Sequence, residues 1–134
     1  MTADVSTPDD IHPKNKKPVG ERLANLVLKN EYGKHLGLVN APTPERVVFE
    51  GQKAVVFLQN AEGLHFKNSS SPQFELAGKD GKYYPAKAVI KNNTIEIKSA
   101  QVKESISVKY EWKKKEKPDI FNQIELPLTT FELE

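Results

Sequence analysis

At 134 residues, 37% of them hydrophobic and 28% charged, the chain has room for one compact domain, or for one small domain plus a piece of another, but not for two. Its 20 basic and 18 acidic residues leave a net charge of +2, too near balance to give the electrostatic footprint of a nucleic-acid-binding protein. With no cysteine it forms neither disulfides nor thiolate metal sites, and no run approaches the roughly 18 apolar residues of a membrane span.

Residues 1–14 carry turn-forming Asp, Ser, Thr and Pro without apolar periodicity, and read as loop. The opening "TADVSTPDD" lacks the basic start and apolar stretch of a signal peptide, which fits a cytosolic protein or the cut end of a longer one. From Asn15 the pattern turns helical. Val19, Leu23, Leu26, Val27 and Asn30 follow the three-and-four spacing of one helix face, with Glu21, Arg22, Asn25 and Lys29 on the other. Asn15 is the expected N-cap, Pro18 falls in the first turn where its missing N–H costs nothing, and Gly33 suits a left-handed C-terminal cap. Together these predict a helix over about residues 16–32. Its apolar face needs a cover, either the rest of the chain or another polypeptide, because burial contributes roughly 1.5–3 kcal/mol per large side chain.

Beyond Asn40 the period switches to two. "APTP" breaks the chain, and Val47, Phe49 and then Val55, Phe57 flank a turn at Glu50-Gly51-Gln52, as in a hairpin. Phe74 and Leu76 lead into the tight turn of Asp80-Gly81, with Tyr83 and Tyr84 following. Ala86, Ala88 and Ile90 alternate up to Asn92-Asn93, and Ile95 and Ile97 return from it. Ile106, Val108, Tyr110 and Trp112 form the cleanest alternation, which puts Tyr110 and Trp112 on a core face rather than in a sugar-stacking platform with Tyr83 and Tyr84. The expected fold is mainly β: an N-terminal loop and one amphipathic helix, then an antiparallel β-sandwich or jelly-roll-like domain of six to eight short strands over residues 41–134.

One constellation before the helix carries chemistry. In Asp9-Asp10-Ile11-His12, a carboxylate three residues ahead of an imidazole on a loop can fold back to accept a hydrogen bond from Nδ1 and leave Nε2 free as a base. Spacing alone favours a solvated turn before a capped helix. A metal site at Asp9, Asp10 and His12 lacks further ligands nearby. His35 and His65 read as surface or strand residues, and the 113–117 run "KKKEK" as a solvated turn.

The longer stretch "DDIHPKNKKPVGERLANLVLKNEYG" resembles the last block of the carbohydrate esterases of the SGNH hydrolase superfamily, in particular the sialate O-acetylesterase family. An Asp-x-x-His-Pro loop there enters a closing helix with a Gly-x-Arg-Leu-Ala pattern, matched by Gly20-Glu21-Arg22-Leu23-Ala24. "FELAGKDGKYYPAKAVIKNNTIEIKS", "ISVKYEW", the "DIFN" of Asp119 to Asn122 and Leu126-Pro127 resemble the same family's C-terminal strands, with Glu125 standing where that family has Gly. The resemblance implies that residues 1–40 are the last catalytic loop and helix of an α/β hydrolase domain and residues 41–134 an accessory β-domain. It implies His12 as general base and Asp9 as its orienting carboxylate in a Ser-His-Asp hydrolysis of sugar O-acetyl esters through an acyl-enzyme, with no cofactor and no metal.

The serine and the oxyanion-hole Gly and Asn of that family have no counterpart here. Ser69, Ser70 and Ser71 in "NSSSP" match no nucleophile motif and read as a surface loop. The expectation is a C-terminal fragment that is inactive alone, whose partners are an acetylated sugar and the missing catalytic half, not nucleic acid or membrane. It would be periplasmic or secreted if its parent is exported. The alternatives are a free-standing β-sandwich that binds carbohydrate or protein, and a split enzyme in which this chain lends Asp9 and His12 to a serine-bearing partner.

Overall fold

Alternating apolar residues decide the architecture from Thr43 onward. The computed structural model describes residues 4–5, 10, 12–68, 73–110 and 117–134, with one helix, α1 (Lys17–Asn30), and nine strands. They are β1 (Thr43–Glu50), β2 (Lys53–Gln59), β3 (His65–Phe66), β4 (Phe74–Ala77), β5 (Tyr83–Lys91), β6 (Thr94–Lys98), β7 (Ser107–Tyr110), β8 (Ile120–Phe121) and β9 (Phe131–Leu133). Seven of them make one antiparallel sheet in the order β1-β2-β6-β5-β4-β7-β9, and β3 pairs with β8 alongside. The short β3 and β8, two residues each, take the count beyond the expected six to eight. Trp112, residues 113–116 and Ser69 to Ser71 lie outside the described residues.

The sheet folds into two leaves because β5 is long enough to serve both. Its first half pairs with β4, Ala86 opposite Phe74, and its second half with β6, Lys87 opposite Lys98. The outer strands return toward each other, the Thr129 N–H donating to the Pro42 carbonyl at 3.2 Å, so that the sheet nearly closes as a sandwich. The space between the leaves is filled by fully buried Val56, Phe74, Leu76, Ile95, Ile97 and Val108, with Tyr110 stacked on Phe74 at 4.7 Å between ring centroids. The Tyr110 hydroxyl donates to the buried Asp119 carboxylate at 3.1 Å.

The expected hairpins form where the turn residues placed them. Gly51 takes φ +57 between Glu50 and Lys53, Asn92 takes φ +54 between β5 and β6, and the Asp80 carboxylate accepts the Lys82 N–H at 3.2 Å. On β2, however, the buried set is Ala54, Val56 and Leu58, so Val55 and Phe57 point outward. Ile106, expected on the core face, is likewise exposed at 46%; it lies one residue before β7, its N–H donating to the Ala77 carbonyl at 2.9 Å.

The helix is shorter than expected and begins one residue later. Lys16, not Asn15, holds the N-cap position, with no side-chain cap, while the Asn15 side-chain oxygen accepts the Lys17 N–H at 3.3 Å. At the other end Gly33, at φ +60, lets the Lys34 N–H reach back to the Leu28 carbonyl at 3.0 Å. The β-sheet does not cover the apolar stripe. No residue of α1 is buried, and Leu23 is 62% and Val27 41% exposed.

Candidate active-site segment

His12 stands at the entrance to α1, on a loop shaped by its neighbour. The Asp10 side-chain oxygen accepts the His12 backbone N–H at 2.8 Å in an Asx turn. The imidazole itself is exposed, and among the described residues no side chain hydrogen-bonds it. Asp9 lies outside the described residues. No group of three or more His, Cys, Asp or Glu among the described residues is arranged to hold a metal ion.

What anchors this segment is Arg22, which helical periodicity assigned to the solvent side. Both terminal nitrogens of its guanidinium bond the Asp4 carboxylate at 2.7 Å in a bidentate pair whose side chains are only 20% and 17% exposed. Burial pushes the Asp4 carboxyl up, but the Arg22 hydrogen bonds and charge outweigh it and hold the group below its ordinary value. The hydrogen bonds to Asp4 correspondingly raise the Arg22 guanidinium. Arg22 also reaches the Glu125 carbonyl at 3.5 Å, so a single side chain ties the N-terminal loop, the helix and the β-domain together.

Glu125 in turn organises the end of the β-domain that faces the helix. Its backbone is left-handed, φ +56. Its carboxylate lies 3.3 Å from His65 Nε2 and 3.5 Å from Lys67 Nζ, and the His65 Nδ1–H donates to the Gly63 carbonyl at 2.9 Å. Behind it the buried Asn122 side chain donates to the Asn40 and Asn60 carbonyls at 3.0 and 3.1 Å and accepts the Leu126 N–H at 3.0 Å. Between this loop and α1 runs a groove of about 460 Å³, lined among others by Arg22, Asn25, Leu36, Leu38, Ile124 and Glu125. Sequence periodicity could not find Asp4, Glu125 or Asn122, because Arg22 lies 18 residues from Asp4 and 103 from Glu125, and Asn122 reaches Asn40 and Asn60 across 82 and 62 residues. The glycine expected at position 125 by resemblance was the one local hint, since it marks a left-handed backbone.

Neither a family model nor any curated protein matches the chain. Among solved structures it is similar to a carbohydrate acetylesterase from Xanthomonas citri, at 31% identity and a TM-score of 0.88 over 98% of this chain. The chain spans 31% of that protein's length.

Proposed function

We propose that this chain is the histidine-bearing segment and accessory β-domain of a carbohydrate O-acetylesterase, and that a hydrolase portion beyond these residues supplies the nucleophilic serine and the oxyanion donors. The observation that carries the reading is the similarity to a carbohydrate acetylesterase along 98% of the chain, from the His12 loop through the last strand. The exposed imidazole on an anchored loop supports it, since a general base has to be reached by a nucleophile from outside.

The chemistry follows from the residues. The serine hydroxyl attacks the acetyl carbonyl as His12 Nε2 takes its proton, and the sugar oxygen leaves with that proton to give an acyl-enzyme. Water then adds with His12 again as base, and acetate departs. In this reading Asp9 is the carboxylate that would accept the Nδ1–H and support the imidazolium. A sialic acid O-acetyl ester is the substrate favoured by the Asp-x-x-His-Pro and Gly-x-Arg-Leu-Ala resemblance.

The test is complementation. The purified 134-residue chain is expected to leave aryl acetates and acetylated sugars intact, since its base has no nucleophile to activate. Mixed with a separately expressed serine-bearing half, it restores turnover, and His12→Ala lowers kcat by about three orders of magnitude or more. Turnover by the chain alone that survives His12→Ala, or complemented activity indifferent to that substitution, would refute the assignment.

A further inference from the structure

The sheet register sets a second surface apart. On the leaf β1–β2–β6–β5, the row of side chains facing away from the core next to the first turn places Lys53, Lys98 and Lys87 directly opposite one another on three adjacent strands. Neighbouring strands are about 4.8 Å apart, and like charges in directly opposed positions destabilise a sheet. Packing gives no reason for the arrangement, because any polar residue serves on an exposed row. Glu50 pairs with Lys53 at 2.9 Å, and Glu96 with Lys91 at 2.9 Å and Lys98 at 3.6 Å, while Lys87 stands exposed at the end of the row. The Lys91 hydrogen bond, then the charges of Lys91, Lys53 and Lys98, hold the Glu96 carboxyl below its ordinary value against the opposing effect of desolvation. Counting Arg46, this face carries five basic side chains against two carboxylates, more positive charge than the whole chain's net +2.

The next row holds Val48 and Val55 side by side, then Glu96 and Val89, with Val48 and Val89 37% and 55% exposed, and beyond Val55 the Arg46 guanidinium lies 3.5 Å over the Phe57 ring. The apolar patch of Val48, Val55 and Phe57 suits the C–H face of a sugar ring, and the lysine row suits carboxylates.

We infer that the outer face of the β1–β2–β6–β5 leaf docks an acidic polysaccharide, its carboxylates on Lys53, Lys98 and Lys87 and its ring faces on the Val48, Val55 and Phe57 patch of β1 and β2. The choice of a glycan over another polyanion rests on the esterase reading; the surface itself does not. In affinity electrophoresis of the full chain, polygalacturonate is expected to retard it and dextran not, with the retardation falling steeply as salt rises. Lys53→Gln/Lys87→Gln/Lys98→Gln is expected to weaken binding at least tenfold. Lys34→Gln/Lys82→Gln/Lys117→Gln, with the same loss of charge elsewhere, is expected to bind within twofold of the parent chain. No retardation by polygalacturonate, equal loss in both triple variants, or duplex DNA binding as tightly through the same lysines would overturn the inference. None of these readouts involves ester hydrolysis, so they fail separately from the complementation test.

Discussion

Asn122 uses three of its hydrogen-bonding positions on three different loops, at Asn40, Asn60 and Leu126, from a site with no solvent exposure. A buried polar group left without a partner costs about 1–3 kcal/mol. Asn122→Ala strips partners from three backbone groups at once, and is expected to destabilise the chain by about 3 kcal/mol in urea unfolding. Glu125 poses the opposite case. Its left-handed φ of +56 costs about 1–3 kcal/mol for a residue with a side chain, while its side-chain contacts with His65 and Lys67 are more than half exposed on the Glu side and contribute at most about 1 kcal/mol. Glu125→Gly should therefore match or exceed the parent in stability, and Glu125→Val, whose branched Cβ resists positive φ, should lose about 1–2 kcal/mol. A Glu125→Gly chain markedly weaker than the parent would show that the side-chain contacts dominate.

At the level of the element, α1 depends on its clamp. A 14-residue helix is marginal by itself in water, and this one buries no side chain to compensate. The Arg22–Asp4 pair is the polar tie that joins it to the N-terminal loop. Because the folded-state value of Asp4 lies below its ordinary one, the tie is present above about pH 4, the range of an unperturbed Asp, and is lost as pH falls below that. In the intact chain, protease cleavage within residues 17–30 should accordingly increase as pH falls below about 4. In Arg22→Ala cleavage there should be equally fast throughout. A pH response that persists in Arg22→Ala would place the titrating group elsewhere.

Across the molecule, stability and association separate. The β-sandwich has a filled core around Phe74, Tyr110, Ile95 and Ile97, whereas α1 presents Leu23, Val27 and Leu28 to solvent. An exposed stripe of this kind fits a surface that another polypeptide covers. Leu23→Asp is expected to change the chain's own unfolding free energy by no more than about 0.5 kcal/mol, as for other exposed positions, yet to weaken its complementation of a hydrolase half. Amide exchange should be fast in α1 and slow in β2, β4 and β6 in the chain alone, because local opening follows burial. Equal protection in helix and sheet would contradict this division.

The sequence by itself determined the elements whose signals are local. Alternation marked β1, β2 and β4 to β7, Gly51, Asp80-Gly81 and Asn92 marked the hairpin turns, and the three-and-four spacing marked the helix, because each rests on neighbours within a few residues. Only the tertiary structure decided which phase of β2 faces the core, that Ile106 lies outside it, and that Arg22 turns to Asp4 instead of solvent. Those outcomes depend on which surfaces meet across 18 residues or more, and a one-residue change of phase reverses every side chain in a strand. The same limit holds for the surfaces. Lys53, Lys87 and Lys98 are unremarkable when read along the chain, and only the register of three strands brings them into one row.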